Sequence, residues 1–144
     1  MVTYYARFEP DLEAGGFVVT FPDVSGAITQ GETLEEATMM AEDVLACVFS
    51  FLMNEGKDLP KARKRRSRRL RPISLPGVQS AKVELYQVFR ASGLTKTQLA
   101  ARMGIAKSNL DRLFDLQHQS RFNQIEAAFA ALDKQVWVEI RDAA

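Results

Sequence analysis

The chain has one cysteine, one histidine and one tryptophan in 144 residues. A single thiol, Cys47, cannot close an internal disulfide and agrees with a reducing compartment; between Ala46 and Val48 it reads as a small buried side chain rather than a nucleophile. A single imidazole, His118, leaves neither a Ser-His-Asp set nor a His-rich zinc site with enough material. No apolar run reaches the roughly 20 residues of a membrane span. The opening MVTYYARFE lacks a signal-peptide pattern. The expectation is a cytoplasmic protein with no membrane partner, no catalytic residue, no metal and no cofactor.

Charge is abundant but unevenly placed. The net charge of +1 hides two basic against eleven acidic residues in 1–60, eight against none in 61–71, and nine against seven in 72–144. The acidic front repels phosphates and suits a basic partner protein, which leaves the back as the natural DNA end. The run KARKRRSRRLR over 61–71 repels itself. It reads as a tether or as an edge strand guarded against aggregation, with phosphate contact or an embrace of the acidic front as alternatives. The pull of the carboxylates favours the structural role.

The hydrophobic content of 47% is that of a globular chain, long enough for one domain or two small ones. Periodicity makes it α+β, with β-β-β-α-β over residues 1–76 and helices over 77–144. Val2, Tyr4, Ala6 and Phe8 alternate with polar residues in a first strand, and Gly15-Gly16 turns into a second carrying Phe17, Val19 and Phe21. Pro22-Asp23 ends that strand, and residues 27–30 form a short third one ending at Gly31. Thr33 and Glu36 make a capping box for a helix whose apolar stripe is Leu34, Ala37, Ala41, Val44, Leu45, Val48, Phe49 and Leu52. It ends near Asn54-Glu55-Gly56. Residues 71–75 return as a fourth strand, and Pro76-Gly77 marks the domain boundary.

Beyond that boundary Ala81, Leu85, Val88 and Phe89 give the core face of a helix that Gly93 ends. Ser120 is placed to cap a last helix through Phe122, Ile125, Ala128, Phe129 and Leu132. Residues 136–140, VWVEI, read as a C-terminal strand that dimerisation would pair.

Between these elements, residues 95–114, TKTQLAARMGIAKSNLDRLF, have the spacing of a helix-turn-helix. Gln98 stands at the start of a first helix that buries Leu99, Ala100 and Met103; Gly104 permits a left-handed turn, Ile105 plugs the core, and Leu110 and Leu113 face inward from the second helix. Lys107, Ser108, Asn109, Asp111 and Arg112 then point outward to read base edges and phosphates. Thr97 and Gln98 join them as DNA-binding candidates, with Gln98 holding a phosphate. The plain alternative is an ordinary two-helix corner.

Two blocks together bear on family. GGFVVTFPDVSGAITQGETLEEA, residues 15–37, resembles the signature of HicB antitoxins, and the helix-turn-helix resembles the DNA-binding domain that one branch of that family carries at its C-terminus. The likeness covers nearly the whole chain. It implies a reduced RNase H-like N-terminal domain that sequesters HicA, a small basic mRNA-cleaving toxin. It also implies a C-terminal domain that binds the operator of its own operon and represses it; because one recognition helix reads only a few base pairs, the expected operator is palindromic and the expected binder a homodimer or higher oligomer. On this resemblance the candidate toxin contacts are Phe21, Asp23, Val24, Glu32, Glu35 and Glu36. The basic run at 61–71 departs from the family pattern.

An RNase H-like fold raises the question of metal-dependent nuclease chemistry, which needs carboxylates converging on two cations. The centre of the first strand is Tyr4, Tyr5, Ala6 and Arg7, while Glu9 and Asp23 sit at strand ends, so the residues argue against an enzyme. The remaining rival is a stand-alone regulator sensing a small ligand through Tyr4, Phe17 and Phe21. A neighbouring reading frame for a short basic protein separates the two.

Overall fold

Alternation makes β1 (Thr3–Pro10) a strand: Tyr4 and Ala6 turn inward and are buried, whereas Arg7 and Glu9 turn outward and are exposed. The computed structural model describes residues 1–64 and 67–143. In it β2 (Phe17–Thr20), β3 (Ile28–Gly31) and β4 (Leu70–Ser74) join β1 in an antiparallel sheet of order β3-β2-β1-β4. The four strands fall within a residue or two of where periodicity puts them. Of the basic run, Arg71 lies in the edge strand β4, and Arg65 and Arg66 lie outside the described residues.

One face of the sheet is covered by α1 (Leu34–Asn54), which opens on half of the expected capping box. Thr33 Oγ1 accepts the Glu36 N–H at 3.1 Å, as a cap should, but Glu36 Oε2 reaches one residue past the cap and accepts the Glu32 N–H at 2.9 Å instead of that of Thr33. The helix buries Ala37, Ala41, Leu45, Ala46, Phe49 and Met53. Leu34, Val44, Val48 and Leu52 are half-buried at the margins of this face. Cys47 is exposed, contrary to the expectation of a buried thiol: two residues on from Leu45, at about 100° per residue, it points away from the core.

Two glycines explain why these elements meet so closely. Gly16 has φ +73°, and a Cβ there would stand 2.2 Å from the Gly31 carbonyl oxygen; a Cβ on Gly31 would stand 2.4 Å from the Ala37 amide nitrogen. Phe17 and Gly31 are paired residues of β2 and β3. The start of β2, the end of β3 and the first turn of α1 therefore pack backbone to backbone, and only residues without side chains fit between them.

Four helices follow: α2 (Gly77–Ser92), α3 (Lys96–Met103), α4 (Lys107–Leu113) and α5 (Phe122–Ala131). Gly93, at φ +73°, closes α2. They share a core with the sheet and α1. The Val2 N–H donates to Ser80 Oγ at 3.1 Å, Ser80 Oγ donates to the Leu75 carbonyl at 2.9 Å, and the Tyr86 hydroxyl donates to the Lys57 carbonyl at 2.6 Å. Tyr86 also meets Phe114 edge-on, with ring centroids 5.5 Å apart.

Two expectations are corrected here. Arg121, not Ser120, is the residue that caps α5: its N–H donates to Gln124 Oε1 at 3.1 Å, while Ser120 Oγ lies 3.3 Å from His118 Nδ1. Residues 136–140 form no strand. Trp137 is 86% and Ile140 89% exposed, and among the described residues no strand edge lies alongside to satisfy their backbone groups.

Tyr4 is buried against Phe49, and its hydroxyl donates to the Pro60 carbonyl. Burial, and then the Asp23 and Glu84 carboxylates, push its pKa up from 10.0 to about 12. The folded state thus holds this proton more tightly than the unfolded state. The stability it contributes is whole below pH 10.0 and is lost as pH rises from there through about 12. Tyr4→Phe should flatten that part of the stability-pH curve measured by urea unfolding; an unchanged slope would mean that other groups set it. Gly31→Ala should lower unfolding stability by about 3 kcal/mol in the same assay, because the methyl meets backbone that cannot move aside.

Candidate functional site

The α3-α4 corner is built from caps and a turn before any long-range contact. Thr95 Oγ1 accepts the Gln98 N–H at 3.1 Å, and Gln98 Oε1 accepts the Thr95 N–H at 2.9 Å, so α3 starts in a complete capping box. Leu99 and Ala100 are buried. Gly104 ends the helix at φ +66°, and the Ile105 N–H donates to the Ala100 carbonyl at 3.1 Å, which swings the chain directly into α4. There Leu110 and Leu113 are buried.

All six DNA-binding candidates, Thr97, Gln98, Lys107, Ser108, Asn109 and Arg112, are exposed on this corner. Asp111, also read as outward-facing, and Gln98 depart from a simple outward array. Asp111 is committed inside the corner, its carboxylate 3.1 Å from the Lys96 ammonium, which also stands 5.9 Å from the Phe114 ring centre. Gln98 spends its carbonyl oxygen on the cap, so its amide nitrogen is the donor that remains for an outside acceptor.

Beneath α4 lies the residue that the periodicity missed. Lys82 is fully buried, and its ammonium donates to the carbonyls of Arg112 at 3.1 Å, Asp115 at 2.7 Å and His118 at 2.6 Å. These are carbonyls of the end of α4 and of the turns after it, where a helix leaves acceptors unpaired and carries partial negative charge. Burial lowers the Lys82 pKa from the ordinary lysine range, and the Asp115 carboxylate pulls it back up. The same loop is pinned twice more: the Leu116 N–H donates to Ser50 Oγ of α1 at 2.9 Å, and Gln79 Nε2 donates to the Leu116 carbonyl at 3.1 Å. Lysines are rarely buried, so composition gives no warning. The available signal was spacing, because Lys82 shares a helical face with Tyr86 and Phe89.

The six candidate toxin contacts separate into two groups. Phe21 is 5% and Val24 2% exposed; both belong to the core, joined in a turn by the Val24 N–H donating to the Phe21 carbonyl at 3.2 Å. Asp23, between them, is half-buried and accepts the Arg63 N–H at 3.0 Å. Glu32, Glu35 and Glu36 are exposed together around the first turn of α1. Among the described residues no group of three or more His, Cys, Asp or Glu side chains gathers to hold a metal, and no helix is long and apolar enough to cross a membrane.

Comparison with known proteins follows the sheet and its helix. Residues 3–84, from β1 into α2, match the family model described as "HicB_like antitoxin of bacterial toxin-antitoxin system". The chain belongs to this HicB-like antitoxin family. Among its relatives, antitoxin HicB 1 of Photorhabdus laumondii is 34% identical over 142 residues, covering 95% of this chain and 86% of that protein. Antitoxin HicB of Escherichia coli K12 is 34% identical over 122 residues, 85% and 88% of the two chains. A chain from a toxin-antitoxin complex of Streptococcus pneumoniae superposes with a TM-score of 0.48 at 21% identity, over 76% of this chain and 92% of that one.

Lys82→Met keeps the stem of the lysine but leaves three inward-facing carbonyls without a donor. It should cost about 3 kcal/mol of unfolding free energy, measured by chemical denaturation. A cost below about 1 kcal/mol would show that water replaces the ammonium.

Proposed function

We propose that this HicB-like antitoxin neutralises a HicA-like, mRNA-cleaving toxin by direct binding, and represses its own operon by binding palindromic operator DNA. Both tasks are performed in the cytoplasm and neither involves catalysis. In this reading residues 1–76 form a reduced RNase H-like, toxin-binding domain, and residues 77–144 form a DNA-binding and dimerisation domain. The exposed Glu32, Glu35 and Glu36 give the first a face that attracts a basic toxin and speeds the encounter.

The observation that carries the DNA-binding role is the α3-α4 corner. Six polar side chains are exposed on two short helices that meet at a glycine turn, which is the layout of a helix-turn-helix with α4 as recognition helix. Lys107, Ser108, Asn109 and Arg112 read the groove, while Thr97 and Gln98 at the start of α3 take a phosphate. A recognition helix of this length reads few base pairs, so a homodimer with two-fold symmetry doubles the contacts. The exposed apolar residues Trp137, Val138 and Ile140 supply a surface for that pairing. A ligand sensor gains little support by comparison, because Tyr4 and Phe21 are core residues.

Asn109→Ala with Arg112→Ala should weaken operator binding in a gel-shift titration by about 1–3 kcal/mol for each base-reading side chain lost. Undiminished binding would take α4 out of the groove. The same double variant, expressed with the basic protein of the adjacent reading frame, should still copurify with it and restore growth, since the glutamates of α1 are untouched. Growth arrest by soluble double variant would tie the two activities to one surface.

A further inference from the structure

At the end of the molecule away from α4, two segments of chain, β1 and the stretch 68–71, bring four arginines to the lining of one cleft. Its cavity of about 390 Å³ is lined by Arg7 of β1, Arg68 and Arg69 of the turn before β4, and Arg71 of β4, over a floor that includes Phe8 and Phe17. Among the lining residues Glu9 is the one carboxylate; it is 3.8 Å from Arg7, both side chains well exposed, which makes a weak pair. Among the described residues Arg68, Arg69 and Arg71 form no ion pair.

The arginines are positioned by local structure. Ser67 folds the turn by accepting the Arg69 N–H on Oγ at 3.2 Å and the Leu70 N–H on its carbonyl at 3.2 Å. Arg71 is paired opposite Ala6 in the sheet, and its guanidinium carbon stands 5.8 Å from the Phe8 ring centre. Nearer the start of the basic run the main chain is held to the acidic front, where the Arg63 N–H donates to the Asp23 carboxylate.

We infer that this cleft is a binding site for single-stranded nucleic acid, with the Arg68, Arg69 and Arg71 guanidiniums on successive phosphates and a base resting on Phe8 and Phe17. The size is in the range of small-ligand sites, roughly 300–1,000 Å³. Planar guanidiniums bind phosphate oxygens in pairs, and aromatic rings stack bases of any sequence; Phe8 and Phe17 are half-buried and keep part of their surface at the cleft. Duplex DNA is a poor occupant because its bases are not available to a narrow apolar floor. The site is also remote from α4. Leu34 at the cleft and Ser50 beside the α4 loop are sixteen residues apart on α1, which is roughly 24 Å at the helical rise.

The test is fluorescence anisotropy of the full-length protein with a labelled 12-nucleotide oligouridine, a labelled oligothymidine, and a labelled polyglutamate peptide, each over a range of salt. The oligonucleotides should bind, and Arg68→Gln with Arg69→Gln and Arg71→Gln should weaken them roughly tenfold or more. The slope of log affinity against log salt should shrink by about two, three lost contacts at about 0.7 each on single strands. Arg68→Gln with Arg69→Gln alone, confined to exposed turn residues, should give a smaller change of the same sign, and Asn109→Ala with Arg112→Ala none. No oligonucleotide binding at low salt, equal binding by the triple variant, or tighter binding of polyglutamate than of either oligonucleotide would overturn the assignment, the last by making the cleft a site for acidic protein.

Discussion

The buried ammonium of Lys82 is the contact on which the exposed corner of this protein depends. A lysine has three N–H donors, and here three main-chain carbonyls converge on it from the end of α4 and the turns that follow. α4 has seven residues and is too short to hold its shape alone in water, so its position must come from tertiary contacts. Lys82 supplies one from α2, and Ser50 supplies another from α1 through Leu116. Leu110 and Leu113 give the helix grip on the core, but apolar contacts are not directional; the carbonyl-ammonium geometry sets where the helix stops.

What was legible in the sequence follows the strength of the periodic signal. Period two placed β1 and β2, and spacing of three and four placed α1 with its Thr33 cap, because one buried face per element repeats several times. The α3-α4 corner was readable from Gly104 and the polar residues beyond it. Single residues fared worse. Cys47 and Lys82 both reverse the usual rule for their type, one exposed and one buried, since a helix carries whatever residue its angle presents to the core. Phe21 and Val24 flank Asp23 in a stretch that resembles a family signature, and that resemblance did not separate residues folding a turn from residues presenting a surface. Residues 136–140 have the composition of a strand but find no edge within the described residues, and composition cannot supply a hydrogen-bonding partner.

The glycines of the family-like block illustrate a further gap between pattern and cause. Gly16 and Gly31 can be quoted as letters at a fixed separation, yet their meaning is a contact: a carbonyl of one strand and an amide of the helix occupy the space where side chains would be. That close approach seats the first turn of α1 against the sheet and so places both the exposed glutamates and, through Leu34, one wall of the arginine cleft. Charges of opposite sign therefore sit near one end of the same helix.

Trp137, the single tryptophan of the chain, is 86% exposed on a segment with no regular secondary structure. Its indole is already in water when the core is folded. Its indole emission is consequently nearly silent on unfolding of the sheet and helices, while any partner that covers the segment dries the ring and moves that emission to the blue. The chain carries a built-in optical reporter of association rather than of folding.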